Sequence, residues 1–192
     1  MNSISPPVEV ADRIWVGGKP DAVAIETIHT LGITHVLNVS SEPENPALDL
    51  AIHVEWVPTI DDFLPKPISW FRRGVAFAER ALNDPSQKIY IHCREGRHRG
   101  PLMTYVVLRA LRGFSPAEAR RSIGAKRPVA AFPAVYLASA ETYLRNAPHS
   151  STAERNDGVG DSRSRYNGLR ILQFAKQVHV QIEPMVLGLK ST

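Results

Sequence analysis

Apolar residues follow two spacings along positions 14–145, one typical of short buried strands and one typical of helices. Four short runs rich in β-branched and other apolar residues predict strands over 14–16, 34–39, 52–57 and 88–92. Apolar residues that return every three or four positions predict helices over 21–31, 68–83, 101–112, from 116 onward, and over 133–145. Strands that alternate with helices indicate an α/β fold, with a central, mostly parallel sheet flanked by helices on both faces.

Local signals mark several of these boundaries. Asp21 fits the N-cap of the first helix, and Gly32 lies just past its end. Ser115 and Glu118 form a capping box with proline at the first helical position, so another helix begins there. These signals leave loops between the predicted elements, including an acidic loop over 58–67.

The composition is that of an ordinary globular domain. The chain has 192 residues, of which 43% are hydrophobic and 22% charged, and these values exclude a disordered or fibrous chain. We predict an N-terminal extension over 1–7, one α/β domain over 8–147, and a linker with a C-terminal tail over 148–192. Residues 148–165 have the polar, glycine-containing content of a linker, and 169–182 could form one extra strand or helix.

Cysteine content and hydropathy indicate the cellular compartment of the protein. The single cysteine precludes an internal disulfide and a multi-cysteine zinc site, and the histidines show no metal-ligand spacing, so we expect no metal or other cofactor. No apolar run approaches the roughly 18 residues of a membrane span. The first residues lack the basic and apolar regions of a signal peptide. These features predict a cytoplasmic protein without a membrane span.

Positive charge is concentrated in one part of the chain. The net charge is +4, yet residues 94–127 alone contain nine basic and two acidic side chains. Such a local field attracts anions. Some of these arginines also fit a solvated helix face, namely Arg109, Arg112, Arg120 and Arg121. We expect no nucleic-acid partner except as a substrate, because the sequence has no aromatic-rich RNA motif, zinc finger or basic-zipper heptad.

The densest chemical signal lies between a predicted strand and a predicted helix, in His92-Cys93-Arg94-Glu95-Gly96-Arg97-His98-Arg99. In a tight loop of this kind, successive backbone N–H groups converge at a helix N-terminus and bind a tetrahedral oxyanion such as phosphate. Gly96 permits the unusual backbone angles that such a loop requires. The segment therefore predicts a phosphate-binding loop.

Cys93 fits a nucleophile in this loop, because the helix N-terminus and the neighbouring arginines favour its thiolate form. Arg99 has a planar fork that holds two phosphate oxygens at once. In-line attack on phosphorus spreads negative charge over oxygens at which the loop amides and Arg99 are aimed. A lone cysteine is often buried and inert, but the strand–loop–helix context favours the catalytic interpretation.

The stretch from about Ile14 to Leu144 resembles a dual-specificity phosphatase of the cysteine-dependent tyrosine phosphatase superfamily. The His-Cys-five-residue-Arg signature at 92–99 carries most of the resemblance. Four further stretches support it in the expected order: Arg13-Ile14-Trp15-Val16-Gly17, the passage 31–39, Ser115-Pro116-Ala117-Glu118-Ala119 and Arg127-Pro128. The resemblance implies a tyrosine-phosphatase-like fold of the dual-specificity type.

The resemblance also implies catalytic roles. Cys93 would attack phosphorus and form a cysteinyl phosphate, and Arg99 with the loop amides would hold the oxyanion. An aspartate about thirty residues before the cysteine would protonate the leaving oxygen and then activate water. We favour Asp61 over Asp62, because residues 58–61 fit the family's Pro-x-x-Asp pattern. The predicted substrate-binding residues are Arg94, Glu95, Gly96, Arg97, His98 and Arg99.

Three further residues are expected to support the loop. His92 would either tune the thiolate from beneath the loop or serve as a satisfied core histidine. Asn38 would support the loop from a neighbouring strand. Gly100 stands where the family usually has Ser or Thr, whose hydroxyl stabilises the departing thiolate. Hydrolysis of the intermediate is therefore expected to be slower, unless another donor such as Thr104 substitutes.

The resemblance implies a phosphatase acting on phosphotyrosine, phosphoserine and phosphothreonine in proteins. Alternative substrates are a phosphoinositide, a nucleotide or an RNA 5′ phosphate, because the loop is rich in basic residues. A phosphate-binding module with little catalytic activity is the alternative from another functional class. The expected partner in every case is a phosphorylated protein or another phosphomonoester.

Overall fold

Five strands form one sheet among residues 6–44, 48 and 51–147, which are the residues that this computed structural model describes. In chain order they are β1 (Val8–Ala11), β2 (Ile14–Gly17), β3 (His35–Asn38), β4 (His53–Trp56) and β5 (Ile89–His92). Their spatial order is β1-β2-β5-β3-β4. Strands β1 and β2 are antiparallel and the other neighbours are parallel, which confirms the predicted mostly parallel sheet.

The helices follow the predicted spacing closely. They are α1 (Ala22–Thr30), α2 (Ile68–Asn83), α3 (Arg99–Arg112), α4 (Pro116–Lys126) and α5 (Ala134–Asn146). The side chain of Asp21 caps α1 by accepting from Ala24 N at 2.9 Å. Ser115 and Glu118 form the predicted reciprocal capping box at the start of α4. Short-range capping chemistry therefore sets these helix starts.

The two faces of the sheet bury different helices. Alternate residues of a strand point to opposite faces. In β5, Ile89 and Ile91 join the core formed with α2–α5, whereas Tyr90 packs in the smaller cluster beneath α1 with Ile28. Helices thus cover both faces, as predicted, and fix the carboxyl ends of the parallel strands at one edge.

Two details differ from the sequence-based expectation. Strand β1 was not predicted, because it has four residues and Val10 is its one fully buried side chain. It is held by pairing with β2 across a turn in which Arg13 has a φ of 64°. Helix α3 begins at Arg99 rather than at residue 101, because the phosphate-binding segment runs directly into its first turn.

Several predictions concern residues outside this structure. The proposed linker at 148–165 and the extra element at 169–182 lie outside the described residues. Most of the predicted extension over 1–7 also lies outside, so these domain limits stay predictions. Within the described ranges, no helix is both long and apolar enough to cross a membrane.

Candidate active site

Four loops meet at the edge of the sheet where the parallel strands end, which is where α/β folds place ligands. The central one is the phosphate loop, defined here as residues 93–98 between β5 and α3. Neighbouring loops brace its N-terminal end. Lys19 N donates to the carbonyl of Arg94 at 2.9 Å, and Val39 N donates to that of His92 at 2.8 Å. The loop is therefore anchored from β2 and from β3.

A buried arginine shapes the phosphate loop from below. Arg127 donates from Nε to the carbonyl of Gly96 at 2.5 Å and from Nη2 to that of Glu95 at 2.7 Å. The carbonyl of Arg97 accepts from Ala131 N at 2.8 Å. Gly96 itself has a φ of +64°, which favours glycine. Because three consecutive carbonyls are bound by residues after α4, the loop has the curvature of an anion-binding nest.

Cys93 lies at the floor of the pocket that this loop encloses. Its residue is 1% exposed, yet it lines the pocket. The other lining residues are Asp61, Phe63, Arg94, Glu95, Arg97, His98 and Arg99. Five of the six predicted substrate-binding residues are thus in the pocket wall. The sixth, Gly96, is buried on the side of the loop that faces Arg127.

The guanidinium of Arg99 closes one side of the pocket. Its Nη1 donates to the carbonyl of Thr59 at 2.8 Å, and its Nε lies 3.4 Å from Oδ2 of Asp61. That Nε is buried and has no hydrogen-bond partner among the described residues. A buried, unsatisfied donor is costly, and beside a phosphate nest it is suited to an anionic oxygen.

The two candidate aspartates have different surroundings. Asp61 lines the pocket, where its Oδ2 lies 3.1 Å from Nδ1 of His98 and its Oδ1 accepts from the hydroxyl of Tyr136 at 2.9 Å. Asp62 instead pairs with Lys66, whose ammonium lowers the pKa of the Asp62 carboxyl. The structure therefore brings Asp61, and not Asp62, to the cysteine.

His92 has the surroundings of a satisfied core histidine, which is one of the two alternatives that the sequence left open. Its ring is fully buried directly behind the phosphate loop. Its Nδ1 lies 3.2 Å from the carbonyl oxygen of Cys93, and its Nε2 lies 2.5 Å from a carboxylate oxygen of Glu44. Both ring nitrogens therefore have partners, and one of these partners is the backbone of Cys93.

The side-chain hydrogen bonds of Asn38 go to the turn after β3 and not to the phosphate loop. Its amide donates to the carbonyl of Glu42 at 3.0 Å and accepts from Ser40 N at 2.8 Å. Asn38 therefore shapes the turn after β3. Its help to the phosphate loop is indirect, because that turn supplies Glu42, which lies 3.7 Å from Nε of Arg94.

Across the described ranges, no group of three or more His, Cys, Asp or Glu side chains is arranged to hold a metal ion. The pocket brings together a thiol, a guanidinium and a carboxyl group.

A family model for the catalytic domain of dual specificity phosphatases matches residues 14–137. The chain belongs to the dual-specificity phosphatase family. The matched range begins with β2 and ends within α5, so it contains the phosphate loop and the loop of Asp61.

Curated relatives agree with this assignment. Dual specificity protein phosphatase 5 of Rattus norvegicus is 28% identical over 123 residues, which are 64% of this chain and 32% of that protein. Dual specificity protein phosphatase 16 of Homo sapiens is 27% identical over 122 residues, which are 64% of this chain and 18% of that protein. The chain therefore spans less than a third of the length of these relatives.

Solved dual-specificity phosphatases have the same architecture. Human DUSP28 superposes with a TM-score of 0.66 and 25% identity, covering 73% of this chain and 94% of that chain. A mouse dual-specificity phosphatase complexed with zinc tungstate gives a TM-score of 0.67 and 25% identity, covering 76% and 90%. The fold that the signature loop implied is confirmed.

The position after the signature arginine departs from the family pattern described above. A Cβ at Gly100 would lie 3.1 Å from Cys93 N and 3.3 Å from the carbonyl carbon of His92. The backbone behind the thiol is therefore closely packed on this side. The proposed substitute donor, Thr104, gives its hydroxyl proton to the carbonyl of Gly100 at 2.9 Å, so it does not serve the cysteine.

Three residues of this dual-specificity phosphatase site were not identified from the sequence. Phe63 forms a pocket wall, with a ring 5.3 Å from that of His98. Tyr136 contacts Asp61 from α5, 75 residues away, and no local pattern indicates that contact. Arg127 was noted only as part of a resembling dipeptide, and its buried role depends on the tertiary structure.

Proposed function

We propose that the chain is a cysteine-dependent phosphatase that hydrolyses phosphomonoesters through a cysteinyl-phosphate intermediate. The observation that carries this proposal is the position of the Cys93 thiol at the floor of a pocket walled by the phosphate loop, Arg99 and Asp61. Nucleophile, oxyanion donors and proton donor are thus within one pocket. The related mouse phosphatase was solved with tungstate, a tetrahedral oxyanion like phosphate.

In the first step, the thiolate of Cys93 attacks phosphorus and forms an S–P bond. The bond from phosphorus to the leaving oxygen breaks, and that oxygen takes a proton from the Asp61 carboxyl group. The loop amides and Arg99 hold the remaining phosphoryl oxygens, whose negative charge is redistributed in the transition state.

In the second step, water attacks the phosphorus of the cysteinyl phosphate. The Asp61 carboxylate accepts a proton from that water, the S–P bond breaks, and its electron pair returns to the sulfur as thiolate. Inorganic phosphate leaves, and both side chains regain their starting protonation. No metal takes part in this proposed sequence.

Phosphorylated tyrosine, serine and threonine in proteins are the proposed substrates. Phe63 supports an aryl phosphate in particular, because its ring lines the pocket and is 55% exposed. The basic rim is weaker than the sequence suggested, since Glu42 lies near Arg94 and also pairs with Lys19 at 3.1 Å. This partial neutralisation favours a monophosphorylated group over a polyanionic one.

A substrate panel distinguishes these classes. The kcat/KM is measured for phosphopeptides, phosphoinositides, nucleotides and 5′-phosphorylated RNA under the same conditions. We expect the highest kcat/KM for a phosphotyrosine peptide, followed by phosphothreonine and phosphoserine peptides. A higher kcat/KM for a phosphoinositide or a nucleic acid would replace the proposed substrate and leave the cysteine mechanism intact.

Asp61→Asn is expected to slow the hydrolysis of poor leaving groups far more than that of good ones. The amide cannot protonate the departing oxygen, and general acid catalysis contributes about 10²- to 10⁴-fold. The kcat/KM for a series of aryl phosphates with different phenol acidities measures the effect, because this ratio reports the first step and is not limited by hydrolysis of the intermediate. Asp62→Asn is the matched control, because Asp62 pairs with Lys66 outside the pocket. If Asp62→Asn, and not Asp61→Asn, slows poor leaving groups more than good ones, the general acid is Asp62.

The wild-type protein is expected to show a burst of released phenol before its steady state. Gly100 follows the signature arginine, and the Thr104 hydroxyl donates its proton to the carbonyl of Gly100. The departing thiolate therefore lacks the hydroxyl that the family usually supplies. Hydrolysis of the intermediate is then slower than its formation. Stopped-flow measurement with a good aryl leaving group should give a burst near one equivalent per Cys93. A linear time course from the start would show that the second step is not slow.

A further inference from the structure

The hydroxyl of Tyr136 lies between the Asp61 loop and α5. It donates to Oδ1 of Asp61 at 2.9 Å and accepts from the backbone N–H of Phe63 at 3.0 Å. The side chain is fully buried, its ring stacks on that of Phe63 at 5.9 Å, and Nζ of Lys66 lies 4.5 Å from its centroid. Tyr136 is therefore fixed by contacts on its ring and on its oxygen.

The direction of the Tyr136 hydrogen bond follows from these partners. A phenol has one proton, and the Phe63 N–H already occupies an acceptor position on its oxygen. The proton is thus directed to Asp61. Burial raises the pKa of Tyr136 to about 12, so the phenol keeps this proton across the neutral range.

The two carboxyl oxygens of Asp61 have different surroundings. Oδ1 receives the proton of Tyr136, whereas Oδ2 faces the pocket, 3.1 Å from Nδ1 of His98 and 3.4 Å from Nε of Arg99. When Asp61 is protonated, Oδ1 already accepts a hydrogen bond, and the His98 tautomer with an unprotonated Nδ1 leaves Oδ2 to carry the proton. Oδ2 is the oxygen closer to the phosphate loop.

We propose that Tyr136 is a positioning residue that directs the transferable proton of Asp61 to Oδ2, the oxygen facing the leaving group. The same contact keeps Oδ2 turned to the pocket when Asp61 acts as the base in the second step. This inference rests on the proposed function of Asp61 and adds the residue that determines which of its oxygens reacts.

Several charged or titratable groups other than Tyr136 face Asp61, so the test must change one contact only. Tyr136 approaches from α5, and His98 and Arg99 approach from the end of the phosphate loop and the start of α3. Asp62 and Lys66 lie on its own loop, and the remaining ionisable pocket residues are Cys93, Arg94, Glu95 and Arg97. A change restricted to the Tyr136 hydroxyl leaves all of these in place.

Tyr136→Phe tests the proposal, because it removes the hydroxyl and keeps the ring. We expect kcat/KM for poor leaving groups to fall by about 10- to 100-fold, the scale of a misplaced catalytic group. The kcat/KM for good leaving groups should change little, because their departure needs little protonation.

Tyr105→Phe is the matched control. The Tyr105 phenol is also buried and also donates to a carboxylate, that of Glu141, but it lies outside the pocket. This variant should keep the wild-type leaving-group dependence. If Tyr136→Phe loses its native circular dichroism, 3-fluorotyrosine at position 136 tests the same contact, since it keeps the hydroxyl and changes its donor strength.

The outcomes separate this inference from the proposed function. Leaving-group sensitivity in Asp61→Asn but not in Tyr136→Phe overturns the role of Tyr136 alone. An equal loss of kcat/KM for all leaving groups likewise assigns Tyr136 a structural role. If Asp61→Asn itself shows no leaving-group dependence, the proposed acid is wrong. In the double variant, Tyr136→Phe should add no further leaving-group sensitivity to Asp61→Asn.

Discussion

Cys93→Ser is expected to lower kcat for aryl phosphates by on the order of 10⁵-fold or more, the scale seen when a catalytic nucleophile is removed. A serine hydroxyl is a far weaker nucleophile near neutral pH than a cysteine sulfur. The substitution leaves Arg99 and the loop amides in place. Binding of phosphate or tungstate should therefore remain close to that of the wild type.

Two measurements are needed to interpret this variant. Calorimetric titration with inorganic phosphate and tungstate reports the oxyanion site, and hydrolysis of an aryl phosphate in the presence of a chelator reports catalysis. Because Cys93 is the only cysteine, alkylation by iodoacetate followed by mass spectrometry reports on this thiol without interference. Turnover by Cys93→Ser within tenfold of the wild type would contradict the mechanism. A wild type that binds oxyanions tightly without turnover would instead support the binding-module alternative.

Gly96→Ala is expected to have the largest effect on stability, about 2–4 kcal/mol of unfolding free energy. Gly96 has a φ of +64°, and a Cβ there would overlap Nη2 of Arg127 and the backbone carbonyl of Gly17. Gly17 belongs to β2 and Arg127 is buried, so neither moves easily. The phosphate loop would have to shift, and turnover should fall by roughly 10²-fold through misplacement.

Two other glycines separate the causes of that effect. Gly113 has a φ of +68° with open space around its Cα, so Gly113→Ala should cost only the backbone term, about 1–2 kcal/mol. Gly124 lies within α4, also has open space and has no positive φ, so Gly124→Ala should stabilise the protein by about 0.5–1 kcal/mol. Denaturant unfolding and aryl phosphate hydrolysis should be measured on all three. Equal losses for Gly96→Ala and Gly113→Ala would show that the overlap with Arg127 and Gly17 is relieved without cost.

Local sequence patterns predicted those parts of the fold that depend on neighbours along the chain. The apolar stripe of α2 gave its bounds of 68–83, and capping residues gave the starts of α1 and α4. Strand β1 was missed because its evidence is tertiary. It has one fully buried side chain, and its backbone is ordered by pairing with β2.

The same division holds for the site. Cys93 and Arg99 were found because they lie within one short loop whose chemistry is contained in its own sequence. The preference for Asp61 over Asp62 came from a short local pattern and agrees with the placement of Asp61 in the pocket. Tyr136 and the Glu44 carboxylate behind His92 were not predicted, because each acts across a distance of 48 or more residues in the chain.

The interaction of Arg127 with the phosphate loop limits how far the catalytic unit can be shortened. The two carbonyls that Arg127 holds precede it by 31 and 32 residues, and Ala131 binds a third. A fragment truncated after α4 would retain every strand of the sheet and the nucleophile, but it would lose the residues that curve the loop around the oxyanion. The smallest fragment expected to be active therefore extends through α5, which also contributes Tyr136.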